Sequence, residues 1–369
     1  MRTDSSTLHA NTMATSSLSQ SSFSVGDRSI GAGHPCFVIA EAGVNHNGRL
    51  DLAHRLVDVA ADVGADSVKF QTFITALLAT RDAPDVPYQV ENSGGRKESQ
   101  FEMLQRLELD EAAHQELFAH AKERNIVFIS TPDEIDSAQL LHRLGVKVFK
   151  IGSPDLVSIP FLDDVAKLGL PVILSTGMGT TEEIETALRS FAGASPVPVS
   201  LLHCVSQYPA PPREMNLRAI HALATRFGVP VGLSDHTLGT AVSTAAVALG
   251  ATIIEKHLTL DTTMEGPDHP ASLDPDGFAR LVREIREVEA ALGDGMKRCM
   301  PCEAENRVLV RKSVGLARAV AEGAHLTRAD LCLLRPGNGM PPETLYSLVG
   351  KRMRRSMPEC VLLQPSDVD

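Results

Sequence analysis

The sequence predicts a (β/α)8 TIM barrel followed by a small C-terminal module. Three observations carry this. Short apolar runs alternate with helical stretches without a break from residue 35 to 292. Each run delivers polar groups to its C-terminal end. The last two runs each finish on a histidine, Val229-Pro-Val-Gly-Leu-Ser-Asp-His236 and Ala251-Thr-Ile-Ile-Glu-Lys-His257.

The runs at 36–40, 67–70, 126–130, 146–151, 172–175 and 198–203, with the two histidine runs, read as buried strands. The intervening stretches 52–63, 111–123, 137–144, 160–167, 182–191, 217–226, 238–250 and 277–292 read as helices. Eight β/α units in about 260 residues match a barrel in count and length. A doubly wound sheet needs no eighth unit, and the first turn, Ala42-Gly-Val-Asn-His-Asn-Gly48, lacks a GxGxxG string. The excursion 72–109 is long for a βα loop, which suits a functional loop.

The expected division is a disordered leader at 1–33, a catalytic barrel at 34–292, a linker at 293–311 and a small module at 312–369. The leader is rich in Ser and Thr and lacks an apolar signal core, so it does not read as a secretory peptide. The small module is short for a core of its own and is expected to lean on a partner surface.

Composition narrows the function classes. The net charge of −11 argues against non-specific nucleic-acid binding. With no Trp and three Tyr, a base-stacking platform is not expected. No apolar run approaches the length of a membrane span. The six cysteines suit a reducing, cytoplasmic setting. Cys204, Cys332 and Cys360 look like small core residues, and Cys299-Met-Pro-Cys302 lacks a second pair to complete a four-thiolate site.

In a barrel of this kind the active site lies at the C-terminal ends of the strands. Collecting what stands there gives Glu41, Lys69, Gln71, Thr131, Lys150, Ser153, Asp155, Ser175, Ser206, Tyr208, Ser234, Asp235, His236, Lys256, His257 and Asp268. Neighbouring parallel strands bring His236 and His257 to one point, where imidazoles ligate divalent ions. One capping and one packing histidine is the plainer alternative; the matched positions favour a shared ion. Lys69 and Lys150 end apolar strands, so each pairs with a barrel carboxylate or meets an anion. The hydroxyls at Thr131, Ser153 and Ser175 favour a bound phosphate or carboxylate.

At these residues the sequence resembles the sialic acid synthase family, which includes N-acetylneuraminate, legionaminate and pseudaminate synthases. The matching strings are Ile39-Ala-Glu-Ala-Gly-Val-Asn-His-Asn-Gly48, Lys69-Phe-Gln-Thr72, Lys150-Ile-Gly-Ser153, Leu174-Ser-Thr-Gly-Met178, Gly232-Leu-Ser-Asp-His-Thr237 and Ile254-Glu-Lys-His257. Arg335-Pro-Gly-Asn-Gly339 resembles the family's antifreeze-like (SAF) domain. The resemblance implies condensation of phosphoenolpyruvate (PEP) with an N-acylated amino-sugar aldehyde such as N-acetylmannosamine, with water addition and phosphate release. It implies a divalent metal on His236 and His257, Mn²⁺ ahead of Mg²⁺ or Co²⁺. Lys69, Thr131, Lys150, Ser153, Ser175, Ser206 and Ser234 would hold PEP. Glu41, Gln71, Asn92, Tyr208 and Asp268 would contact the sugar or a water on the metal, with Glu41 moving a proton. Arg335 would reach the N-acyl group from a second subunit of a domain-swapped homodimer. Asp155 stands where the family has an acidic residue, often Glu, and Asp133 where it often has an aromatic. The rivals are another PEP-using sugar synthase or aldolase on a barrel, and a non-catalytic sugar-binding barrel.

Overall fold

The computed structural model describes residues 21–84, 86, 89 and 99–369. The chain divides into two compact units, Met1–Gly293 and Asp294–Asp369.

The first unit is an eight-stranded parallel barrel. Its strands are β3 (Phe37–Gly43), β4 (Ser67–Thr72), β5 (Val127–Pro132), β6 (Phe149–Ile151), β7 (Val172–Ser175), β8 (Val199–Cys204), β9 (Val231–Asp235) and β10 (Ile253–His257). Hydrogen bonding runs in the order β5-β4-β3-β10-β9-β8-β7-β6, and β5 packs against β6 to complete the circuit. Helices α1 (Leu50–Asp62), α2 (Thr75–Leu78), α3 (Gln100–Leu107), α4 (Glu111–Glu123), α5 (Ile135–Leu144), α6 (Ile159–Lys167), α7 (Thr181–Ala194), α8 (Arg218–Phe227), α9 (Ala241–Ala248) and α10 (Pro275–Leu292) connect the strands. Two lie inside the long excursion after β4. There Ser99 and Glu102 form a capping box, which starts α3 by satisfying its free N–H groups.

Strand alternation sorts the side chains. Val38, Ala40, Val68, Phe70, Leu233 and Ile254 face the helices in the main core. Phe37, Ile39, Ile129, Val148, Ile173, Leu202 and Ile253 fill the barrel interior. Gly232 faces inward among them, where a Cβ would lie 2.6 Å from Ile253 Cβ and 2.8 Å from Leu202 Cδ2.

Part of the expected leader is folded. Strands β1 (Ser22–Val25) and β2 (Arg28–Gly31) form an antiparallel hairpin. Its turn is Gly26-Asp27, with Gly26 at φ +60°, the first-position glycine of a two-residue hairpin turn. Phe23, Val25 and Ile30 alternate inward and close the lower end of the barrel interior. The Ser-rich composition concealed a period-2 pattern only two strands long. Residues 1–20 of that leader lie outside the described residues.

The second unit holds β11 (Ser313–Leu316), paired antiparallel with β12 (Leu331–Leu334). It has a core of its own, Val314, Leu316, Val320, Leu326, Leu331, Leu345, Leu348, Met353, Met357, Leu363 and Val368. Asp330 caps a turn at Thr327 and pairs with Arg318, which holds its carboxyl down at about 2. The expected linker is not featureless: it carries α11 (Ala304–Val310), exposed along its length. Cys360 is exposed and Cys332 half-buried, so neither is a core residue, and Cys299 and Cys302 are exposed free thiols.

Candidate active site at the C-terminal end of the barrel

A cavity of about 480 Å³ opens at the C-terminal ends of the strands. It gathers Glu41, Lys69, Gln71, Thr131, Lys150, Ser153, Asp155, Ser175, Ser206, Tyr208, Ser234, His236 and His257. Asp268 lines a small adjoining pocket with Gln71, Tyr208 and His257. Asn92 lies outside the described residues. Arg335 belongs to the second unit, where it is exposed. A larger cleft of about 680 Å³ lies at the opposite end of the barrel, beside Arg28, Phe118 and Lys147, and holds none of these residues.

One half of the mouth is charged. Lys69 Nζ lies 2.8 Å from Glu41 Oε2 and donates to Thr131 Oγ1 at 3.0 Å. Lys150 Nζ donates to Ser175 Oγ at 2.7 Å. Glu255 stands between the two lysines, 3.8 Å from Lys69 and 3.6 Å from Lys150, and accepts from Ser234 Oγ at 2.9 Å. Hydroxyls converge nearby. Gly177 N–H donates to Ser153 Oγ at 2.9 Å, and a Cβ on Gly177 would stand 2.2 Å from Ser206 Oγ. A side chain there would push these hydroxyls aside.

The other half is aromatic. The His236 and His257 ring centroids are 5.4 Å apart. Tyr208 lies 3.9 Å from the His236 ring and meets His257 edge-on at 5.5 Å. His236 Nδ1 sits 2.8 Å from Val205 O, so as a donor it leaves the lone pair on Nε2. His257 Nδ1 is buried without a hydrogen-bond partner, 3.7 Å from Asp268 Oδ2. At His236 burial is outweighed by the neighbouring Cys204 thiol and the net shift is upward, so an arriving ion competes with a proton there; the two imidazoles with the Asp268 carboxyl beside His257 are otherwise a donor set that fits a divalent ion. Among the described residues no three His, Cys, Asp or Glu side chains close on one ion by themselves.

A profile of the NeuB family matches residues 56–297. The N,N'-diacetyllegionaminic acid synthase of Campylobacter jejuni is 45% identical over 89% of this chain and 98% of its own length. That of Legionella pneumophila is 43% identical over 89% and 93%. The chain belongs to the NeuB family. The crystal structure of the N-acetylneuraminic acid (sialic acid) synthetase of Leptospira borgpetersenii, in complex with citrate, superposes with a TM-score of 0.67 at 37% identity, over 78% of this chain and 95% of that one. The family members so named are synthases of nonulosonic acids, and this chain is an enzyme of that class.

The NeuB site is electrostatically frustrated as it stands. Burial pushes the Glu41 carboxyl up to about 7, against the pull of Lys69. Burial, with Asp155 adding to it, pushes Asp133 to about 7, and burial brings Asp268 to about 6. Burial lowers Lys150, with Glu255 opposing; at Lys69 burial is outweighed by Glu255 and Glu41, and the net shift is upward. His257 is held well below the ordinary imidazole range by burial and then by His236, so it is neutral and ready to ligate.

Two sequence expectations need correction. Asp235 and Lys256 stand at the strand ends but face away from the cavity, and pair with each other behind the wall at 2.9 Å. Cys204 is buried but lines the cavity, 3.9 Å from His236 Nδ1, rather than filling the core. Glu255 was absent from the expected site. The signal that could have found it is strand alternation: in Ile253-Ile-Glu-Lys-His257 period 2 puts Glu255 on the face of His257 and Lys256 on the other.

Proposed function

We propose that the chain condenses PEP with an N-acylated amino-sugar aldehyde, forming a C–C bond, adding water and releasing phosphate. The observation that carries this reading is the pairing of a two-lysine anion cradle with two closely spaced histidines across one cavity. A second argument bears on the sugar. Identity is higher to relatives that make a doubly N-acetylated acid than to the sialic acid synthetase of known structure, so we favour a doubly N-acetylated amino sugar over N-acetylmannosamine.

Lys69, Thr131, Lys150, Ser153, Ser175, Ser206 and Ser234 hold PEP. Their donors meet the carboxylate and phosphate oxygens and stabilise the charge that leaves with phosphate. Gln71, Asn92, Tyr208 and Asp268 orient the sugar. Glu41, raised and close to Lys69, takes the proton from the water that adds to the PEP carbon bearing phosphate. His236 and His257 would hold a Mn²⁺-type ion, Mg²⁺ or Co²⁺ being the alternatives, whose Lewis acidity polarises the aldehyde. The C-terminal unit acts as an SAF domain and brings the exposed Arg335 to the mouth of a second subunit in a swapped homodimer. A guanidinium fork suits an acyl carbonyl and sugar hydroxyls there. The six free cysteines agree with the cytoplasm. Among the described residues no helix is long and apolar enough to cross a membrane.

The test is a panel of amino-sugar aldehydes assayed for PEP-dependent phosphate release with added Mn²⁺. A doubly N-acetylated aldehyde should turn over with the highest kcat/KM. Phosphate release without any aldehyde, or from none of the panel, rejects the reading.

A further inference from the structure

Among the described residues Asp235 and Lys256 are the most deeply buried ion pair of the barrel, and the chemistry above leaves them unused. They stand opposite each other in the β9–β10 register, on the face turned toward the helices. Lys256 is 0% and Asp235 1% exposed. Their contacts converge on one residue, Thr237, and hold the peptide groups on either side of it. Asp235 Oδ1 accepts the Thr237 N–H at 2.8 Å, and Lys256 Nζ donates to the Thr237 carbonyl and to Asp235 Oδ2, the latter at 2.9 Å. Ser243 of α9 donates to Asp235 Oδ2 at 2.5 Å. Thr237 follows His236 directly, and Lys256 precedes His257. The pair therefore grips the backbone beside both imidazoles from behind the barrel wall.

Packing alone does not explain such a pair. Desolvating two charges costs as much as their attraction returns, and well-packed apolar residues of similar volume serve stability equally well. What an ion pair adds is fixed geometry. We propose that Asp235 and Lys256 are positioning residues that set the separation and tilt of the His236 and His257 rings, and thereby the affinity of the site for its metal ion. This rests on the metal reading above.

The test uses the full-length protein and Mn²⁺ itself, titrated by calorimetry or by the loss of free-ion signal in electron paramagnetic resonance, without substrate. The double variant Asp235→Asn/Lys256→Met removes both charges together, so neither is left unpaired, and keeps a side-chain acceptor for the Thr237 N–H. Removing groups that support metal ligands from behind typically weakens binding roughly tenfold to a hundredfold. We expect a loss in that range for Mn²⁺, with PEP affinity in metal-free buffer within about twofold of the parent. Ser243→Ala, which removes one hydroxyl, should cost a smaller factor in the same direction. It keeps the question open to test where the double variant fails to fold. Parental Mn²⁺ affinity in a folded variant overturns the proposal. So does an equal loss of Mn²⁺ and PEP affinity, which marks general loosening of the barrel. The parent and His257→Ala are run alongside. If those two bind Mn²⁺ alike, the metal reading itself is wrong and the clamp falls with it; if they differ and the double variant matches the parent, the clamp alone is wrong.

Discussion

The two halves of the barrel mouth solve opposite problems. In the β4–β6 half, two buried lysines are already neutralised by the protein, through Glu41 and Glu255. In the β8–β10 half, Tyr208 and the two histidine rings pack together, Tyr208 edge-on to His257, and one imidazole nitrogen is left unsatisfied. On the proposed reading, the first half would accept an anion by exchange, because a substrate carboxylate or phosphate would share lysines that carboxylates hold, and the second half would accept a cation by addition. The two ligands would then bind with different proton bookkeeping, and that difference can be broken experimentally.

The largest effect is expected on the histidine side. His236→Ala or His257→Ala should abolish stoichiometric Mn²⁺ binding and lower kcat/KM by about a thousandfold, since a Lewis acid supplies several kcal/mol of stabilisation. Metal content after gel filtration and steady-state phosphate release measure the two. Full metal content in both variants removes the histidines from that role.

The cradle should respond with two signs. Lys150→Met removes a charged donor from the anion and should weaken PEP binding by roughly ten- to hundredfold, or about 1.5–3 kcal/mol. Glu255→Gln removes a competing carboxylate and should tighten PEP binding by about three- to tenfold, the scale of one screened like-charge contact. Isothermal titration with PEP reads both. If the two substitutions shift affinity in the same direction, Glu255 does not balance the lysines, and the exchange picture fails.

Those two residues also show how much was legible in the sequence. Eight β/α units, the two lysines and the two histidines could be read from alternation and from position at strand ends. Glu255 could not be read by position alone, because three consecutive polar residues end the same strand and only the face of each decides its role. Asp235 and Lys256 were misread for the same reason. The hairpin at Ser22–Gly31 was hidden by its brevity: two four-residue strands in a Ser-rich stretch bury only Phe23, Val25 and Ile30. What the sequence could not supply was which carboxylates hold Lys69. That depends on Glu41 and Lys69, from adjacent strands, standing in one row of the barrel with His257.

A smaller effect follows from pH. Glu41 must be ionised to accept a proton, and burial holds it at about 7. Its basic form therefore grows as pH rises through about 7, and kcat/KM should rise with it by about tenfold per pH unit on the acid side. Glu41→Gln should flatten that limb at a much lower rate. Stability runs the other way. The folded chain holds this proton more tightly than the unfolded chain, so the contribution from Glu41 falls as pH rises from the ordinary carboxylate range through about 7. A profile without an acid limb assigns the proton to another group.

The smallest effect on the mouth is expected from the opposite end of the same barrel. Ile30 is fully buried in the interior cluster with Phe37, Ile129, Ile173 and Ile253. That cluster stands one step of the strand alternation below Thr131, Ser175 and Glu255, and Ile30 itself does not line the cavity. Ile30→Ala removes methyl groups from a closed space that the hairpin can only partly refill, and should cost about 2–5 kcal/mol of unfolding free energy. Denaturant midpoints measure it. The cradle geometry, however, is set by strand register and by ion pairs above that cluster, so PEP affinity and Mn²⁺ affinity should stay within about twofold of the parent. Sites without shared contacts contribute independently, which is the ground for this expectation. A parental midpoint would mean that the hairpin does not seal the barrel. An affinity loss matching that of Lys150→Met would mean that the interior is one cooperative stack, and that the two halves of the mouth owe their difference to the floor beneath them.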